Sequence, residues 1–215
     1  KMNTILFDLD GTLTDPALGI TNAVSYALKH YGIEEEYQNL LRFIGPPLVD
    51  SFMDYYGFDQ EKAQEAVGYY REYFSEKGLF ENVVYEGMDQ FLAALKNEGY
   101  ILAVATSKPE TFAEKILEHF HLSHYFTKIC GATMDSSRSK KGDVIAYALD
   151  QLKITDPNTA VMIGDRQHDI VGAHQNKLKA VGVLYGYGDL EEMKEYQADY
   201  IAKDLNELMA VLHTL

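Results

Sequence analysis

The chain reads as an α/β protein: a doubly wound parallel sheet, interrupted after its first strand by an all-helical insertion. Three observations predict this. Short apolar runs recur as Ile5-Leu6-Phe7, Ile101-Leu102-Ala103-Val104-Ala105, Lys128 to Ala132, Ala160-Val161-Met162-Ile163 and Ala180-Val181-Gly182-Val183. Such runs suit strands covered on both faces of a parallel sheet. From residue 85 onward the runs alternate with segments of helical periodicity, which implies right-handed crossovers. From residue 15 to residue 82 no strand pattern occurs. The expected division is therefore 1–14 with 83–215 for the sheet domain and 15–82 for the helical one.

The elements follow in order. Ile5-Leu6-Phe7 is the first strand, and it runs into Asp8, Asp10 and Gly11. Asp15-Pro16 reads as an N-cap with proline at the first helical position. Ile20, Val24, Ala27, Leu28 and Tyr31 mark the first helix, and Gly32 stops it. A short segment, Leu40 to Phe43, leads to the rigid break Gly45-Pro46-Pro47. Phe52, Met53 and Tyr56 line a short helix over 49–56. Asp59 caps a longer one carrying Ala63, Ala66, Val67, Tyr70, Tyr73 and Phe74, ended by Gly78. Met88, Phe91, Leu92 and Leu95 form the next helix face. After the second strand a helix starts at Pro109, with Phe112, Ile116, Leu117 and Phe120. Val144, Ile145, Ala148, Leu149 and Leu152 mark another before the fourth strand. A helix over 189–195, a weak strand at Tyr200-Ile201 and a helix from Asp204 close the chain.

Bulk properties narrow the class of function. The 215 residues are 47% apolar and 24% charged, ordinary for a globular protein. A formal charge of −14 argues against binding to nucleic acid polymers or anionic membranes. It leaves room for an anionic small substrate, provided a metal or a few lysines invert the local field. Cys130 is the one cysteine, so no intrachain disulfide forms and a reducing compartment fits. It reads as a buried small hydrophobe. No apolar run is long enough to span a bilayer, and no secretory pattern precedes the first strand. The expected location is the cytoplasm, and the expected state a monomer or weak homodimer.

Chemistry gathers at strand ends. The first strand ends in Asp8 and Asp10, the second in Thr106-Ser107-Lys108-Pro109, and the fourth in Gly164-Asp165-Arg166-Gln167-His168-Asp169. Lys140 and Lys141 precede the helix at Val144. In an open α/β sheet these ends lie along one edge, where ligands bind. The residue types suit phosphoryl transfer. Asp8 and Asp165 offer the oxygen ligands that Mg2+ prefers. Metal and lysine together neutralise a phosphate, so that an aspartate can attack it. Asp10 could protonate the leaving oxygen and later activate water. Thr106, with the Ser107 backbone N–H, could bind phosphoryl oxygens at a helix start.

Asp8-Leu9-Asp10-Gly11-Thr12-Leu13, Thr106, Lys141 and Gly164-Asp165-x-x-x-Asp169 resemble, in order, the four motifs of the haloacid dehalogenase superfamily. The helical block resembles the cap of its phosphoglycolate-phosphatase-like branch. The resemblance implies a Rossmann-like core with an inserted cap that closes over the site. It implies a Mg2+-dependent phosphomonoester hydrolase acting through an aspartyl-phosphate on a small phosphorylated metabolite. Asp8 would be the nucleophile and Asp10 the general acid/base. Asp8, the Asp10 backbone carbonyl and Asp165 would ligate Mg2+, with Asp169 holding metal-bound water. Thr106 and Lys141 would bind the phosphoryl group. The family lysine has two candidates here, Lys140 and Lys141, and Lys141 is favoured because its spacing to Val144-Ile145 resembles that of related sequences.

Asp10 speaks against dehalogenation, since dehalogenase-like relatives lack it. Pro46-Pro47-Leu48 stands where phosphosugar mutases carry an arginine, which favours hydrolysis over that alternative. A non-catalytic phospholigand-binding regulator is the other alternative. It would have lost Asp8 or Asp10, and both are present. Gly45-Pro46-Pro47-Leu48, Gly164-Asp165-Arg166-x-His168-Asp169-Ile170 and Gly186-Tyr187-Gly188 look most like 5′-nucleotidase-like sequences, while the cap resembles phosphoglycolate phosphatases.

Other residues carry competing readings. Arg42 could pair with a substrate carboxylate or phosphate, or form a structural ion pair. Lys108 could contact phosphate or be a solvated helix-start lysine. His168 reads as a surface-loop residue. Tyr69, Tyr70 and Tyr73 read as packing. Asp15, Asp59, Asp156 and Asp189 read as caps or turn residues. Asp135 and Ser136-Ser137-Arg138-Ser139 read as a mobile loop without a role.

Overall fold

The computed structural model describes residues 1–215. In chain order the elements are β1 (Thr4–Phe7), β2 (Thr14–Asp15), α1 (Ala17–Lys29), α2 (Tyr37–Leu40), α3 (Leu48–Tyr56), α4 (Gln60–Phe74), β3 (Val83–Val84), α5 (Met88–Asn97), β4 (Ile101–Pro109) and α6 (Glu110–His119). They continue as β5 (Lys128–Ala132), α7 (Lys141–Gln151), β6 (Ala160–Gly164), α8 (Gln167–Gln175), β7 (Lys179–Val183), α9 (Leu190–Glu195), β8 (Tyr200–Ala202) and α10 (Leu205–His213). The chain divides into a sheet unit, Lys1–Asp15 with Val84–Leu215, and a helical unit, Pro16–Val83.

The sheet unit holds six parallel strands in the order β5-β4-β1-β6-β7-β8. β1 is central because Ile5, Leu6 and Phe7 are apolar enough to be buried on both faces. Its Thr4 pairs with Ile101 of β4 on one side and with Ala160 of β6 on the other. Connections therefore leave β1 in both directions, which makes its C-terminal end a topological switch point. The Asp8 N–H still donates to the Ile163 carbonyl (2.9 Å), so the ladder holds the backbone up to the first carboxylate. One core cluster packs Leu6, Ala103, Ala105 and Met162 against Val144, Ile145, Ile170 and Ala173 of α7 and α8. At the last residue of the strand, Phe7 lies edge-on to Phe91 and Phe126, with ring centroids 6.5 and 6.2 Å away.

The two-residue strands β2 and β3 were not expected, and β4 and α8 also differ from the expectation. β4 continues past Ala105 to Pro109, with a register shift between those residues. Ala105 pairs with Cys130 but Pro109 with Ala132, so Thr106, Ser107 and Lys108 form a bulge that is re-aimed out of the ladder. α8 was not expected. Its buried face is small, with Gly172 and Ala173 beside Ile170, and gives little apolar periodicity.

In the helical unit, α1 and α4 bury Ile20, Val24, Ala63, Val67 and Phe74. Asp59 caps α4, accepting from the Lys62 N–H at 2.8 Å. Asp156 and Asp189 likewise accept from Asn158 and Glu192 N–H groups. Asp15 breaks the pattern. The N-cap of α1 is Pro16, and Asp15 Oδ1 instead accepts from the Tyr187 hydroxyl. Tyr70 is buried, Tyr69 stacks on His30 at 3.7 Å, and Tyr73 donates to Glu81. These rings are packing, as read. The 135–139 loop is tied down by Arg138. Its Nε donates to the Gly131 carbonyl, it pairs with Glu110 at 3.6 Å, and its guanidinium covers Tyr147.

Candidate active site

The switch point gathers the strand-end residues of β1, β4 and β6 with the start of α7. After Asp8 the chain turns tightly: the Thr12 and Leu13 N–H groups donate to the Leu9 carbonyl, and Gly11 N–H to the Thr14 carbonyl. Gly11 has φ +87°, and a Cβ there would fall 2.1 Å from Asp165 Oδ2. Glycine is required on both counts. Asp8, Asp165 and Asp169, all buried, bring carboxylate oxygens within 4.8 Å of one another.

Two lysines face these acids. Lys141 Nζ lies 2.6 Å from Asp8 Oδ1, 2.8 Å from Asp169 Oδ1 and 3.2 Å from the Ala105 carbonyl. Lys140, one residue earlier, is the exposed N-cap of α7. Lys108 Nζ lies 3.2 Å from Asp10 Oδ2, and both side chains are nearly inaccessible. The solvated reading of Lys108 is thereby corrected: the bulge in β4 turns it inward. Asp10 is outside the three-carboxylate group, of which Asp169 is a member. Asp169 Oδ2 accepts from the Asp165 and Arg166 N–H groups at 3.0 and 3.1 Å.

Four carboxylates thus meet two ammonium groups, leaving two negative charges in excess. Electrostatics records the imbalance. Burial, then the Asp169 charge, pushes Asp8 well above the usual carboxylate range, against the pull of Lys141. Burial and Asp169 push Asp165 up to about 7. For Asp169 burial works upward, but Lys141 outweighs it and holds the group low. Burial opposes the charge on Lys141, yet Asp169 and Asp8 raise its pKa overall. Asp8 Oδ2, Asp10 Oδ1 and Ser107 Oγ are buried without a hydrogen-bond partner. Buried polar atoms are rarely left so. An oxygen-liganded dication would cancel the excess charge, and Asp8 Oδ2 offers it a free oxygen. The residues present fit such an ion.

Thr106 Oγ1 accepts from the Lys108 N–H at 3.1 Å, which fixes the bulge beside Ser107. Arg42 belongs to the helical unit, where it pairs with Glu35 at 3.8 Å and lies over the Tyr55 ring at 4.0 Å. His168 is not in a surface loop. It stands in the first turn of α8 with Nε2 buried, and burial pushes it down to about 4, so it is neutral at pH 7.

Sequence reasoning missed the residues that brace Asp165. Tyr187 N–H donates to Asp165 Oδ2 at 2.8 Å, Gly188 N–H to the Asp165 carbonyl at 3.0 Å, and Thr12 Oγ1 to Asp165 Oδ1 at 3.3 Å. Glu192 Oε2 accepts from Gln167 N–H and Arg166 Nε, pinning the turn that follows. The Gly186-Tyr187-Gly188 run was the available signal.

Known proteins resemble this chain along nearly its whole length. Residues 5–183 match the haloacid dehalogenase-like hydrolase family. A 5′-nucleotidase from Pseudomonas aeruginosa is 45% identical over 211 residues, covering 98% of this chain and 95% of that protein. The tyrosine-protein kinase PtkA of Mycobacterium tuberculosis is 41% identical over 200 residues, 93% of this chain but 65% of that protein. Among solved structures, a predicted phosphatase from Clostridium acetobutylicum superposes with a TM-score of 0.98 at 49% identity, covering 100% of this chain and 99% of that one. No helix here is long and apolar enough to cross a membrane.

Proposed function

The chain belongs to the haloacid dehalogenase-like hydrolase family and is a phosphatase, and on that footing we propose that it hydrolyses small phosphomonoesters with Mg2+, through an aspartyl-phosphate. The observation that carries this is Asp8. One of its oxygens is held by Lys141 at 2.6 Å, and the other is buried and unpartnered, two residues before a second carboxylate. A held, desolvated carboxylate is a nucleophile ready for an electrophile that brings its own charge compensation.

Bound Mg2+ would be held by Asp8, the Asp10 carbonyl and Asp165, with Asp169 behind, and would supply charge neutralisation at the phosphoryl oxygens. The chain's own groups do the rest. Asp8 attacks phosphorus, and the ester oxygen leaves with a proton from Asp10. Asp10 then takes a proton from water, which attacks the aspartyl-phosphate and releases phosphate and free Asp8. Thr106 Oγ, the Ser107 N–H, Lys108 and Lys141 receive phosphoryl oxygens. Arg42 pairs with the anionic or polar remainder of the substrate. Domain 15–82 acts as the cap, and its closure excludes water and places the leaving group.

Nucleoside 5′-monophosphates are the substrates we favour, because the 45% identical relative is a 5′-nucleotidase. Phosphoglycolate, suggested by the cap, is the second. The protein works as a monomer or weak homodimer in the cytoplasm, where a lone buried thiol is stable. The test is release of inorganic phosphate from p-nitrophenyl phosphate, then from a panel holding both substrate types, with Mg2+ or EDTA. Turnover that needs Mg2+ and vanishes in Asp8→Asn supports the reading. Full activity in that variant overturns it.

A further inference from the structure

Both tyrosines of Tyr185-Gly186-Tyr187-Gly188 fasten, through their hydroxyls, onto the segment that carries the first carboxylates. Tyr185 Oη donates to the Thr12 carbonyl at 2.8 Å, and Tyr187 Oη donates to Asp15 Oδ1. Between and beyond them stand glycines that cannot be replaced. A Cβ on Gly186 would fall 2.2 Å from the Gly11 carbonyl oxygen, and one on Gly188 2.2 Å from the Asp165 carbonyl oxygen. The loop must pass this close to deliver the Tyr187 N–H to Asp165 Oδ2. Close passage demands glycine, and glycine leaves the backbone loose. The loop therefore needs anchors from side chains.

We propose that Tyr187 is a positioning residue for the cation site: its phenol, seated on Asp15, holds the loop so that its own backbone N–H fixes the Asp165 carboxylate. Tyr185 on Thr12 is the companion anchor. Asp15 is the last residue of the sheet unit before the chain enters the helical unit. The same hydrogen bond thus ties the orientation of Asp165 to the point where the chain leaves for the cap. This inference rests on the phosphatase reading, in which Asp165 ligates the metal. Partners one layer behind a metal ligand typically set its affinity by about 10–100-fold.

The experiment measures Mn2+ binding to the free protein by electron paramagnetic resonance of unbound Mn2+, without substrate. Wild type is compared with Tyr187→Phe, Asp15→Ala and Asp15→Asn, and each is melted in EDTA. Tyr187→Phe and Asp15→Ala should weaken Mn2+ about tenfold. Asp15→Asn, whose amide oxygen still accepts the phenol, should stay within about threefold of wild type. A residue that served folding alone would lower the melting temperature without this selective loss and rescue. If Tyr187→Phe does not fold, Asp15→Ala decides, because it leaves the tyrosine in place. Tyr187→Phe and Asp15→Ala proteins that both bind Mn2+ within twofold of wild type overturn the inference alone. A wild type that binds no Mn2+ and hydrolyses no phosphomonoester overturns it together with the phosphatase reading.

Discussion

Lys108 Nζ lies 3.2 Å from Asp10 Oδ2, in a pair almost closed to solvent. On the proposed mechanism, in which Asp10 is the general acid, the ammonium fixes its carboxylate beside the leaving group. Lys108→Met should therefore lower kcat about 10–100-fold, part of the 10²–10⁴ that general acid–base catalysis provides. Steady-state kinetics on the best substrate checks this. A kcat within twofold of wild type would show that Asp10 needs no such support.

Lys141 and Lys140 should separate cleanly. Lys141→Met leaves Asp8 and Asp169 buried without their shared partner, a loss of about 3–5 kcal/mol. Its melting temperature should fall, recover in part with Mg2+, and phosphatase activity should vanish. Lys140→Ala, at an exposed position, should stay within about twofold in kcat/KM. Equal effects of the two substitutions would refute the assignment.

Removing metal should expose the charge excess. In EDTA, Asp8→Asn should melt above wild type, because it deletes a carboxylate that burial and Asp169 disfavour. On the proposed metal site, Mg2+ should then raise the wild type more than the variant, since only the wild type keeps all the proposed ligands. Calorimetry in EDTA and in Mg2+ measures both differences. A variant less stable than wild type in EDTA would contradict the electrostatic picture.

Cys130 gives a pH prediction. Burial, then Glu110, pushes its thiol up to about 11. Between the ordinary range near about 8.5 and about 11, the unfolded chain releases this proton first. Stability should therefore fall with rising pH across that window, with the contribution fully present below it. At pH 8 the native thiol should react with an aromatic disulfide reagent far more slowly than in denaturant. Matching rates would mean that the thiol is accessible.

The sequence told most about what is local. β1 and its two aspartates were legible because an apolar run ending in paired carboxylates has few other meanings. Lys141 could be favoured over Lys140 because its spacing to Val144-Ile145 matches related sequences, and its Nζ is the one found on Asp8. Features set by distant contacts were not legible. Thr106-Ser107-Lys108-Pro109 looks like a loop, and only pairing with β5 reveals a bulged strand that buries Lys108. α8 hides because tight packing selects small residues there: a Cβ on Gly172 would fall 2.9 Å from the Gly142 nitrogen. Asp15 looks like a cap, and its partner Tyr187 lies 172 residues away.

The crowding around Asp165 has a consequence for how this protein can change. At Gly11 and Gly186 an added Cβ would strike the Asp165 side chain, at 2.1 and 2.4 Å, while the sheet itself is untouched. These two positions are intolerant for the sake of that carboxylate and of the turn beside it, where Gly11 has φ +87° and a Cβ on Gly186 would also meet the Gly11 carbonyl oxygen at 2.2 Å. A mutational library should show them as dead for turnover yet still expressed. Selection for new substrates would then be left to work on residues that never touch Asp165.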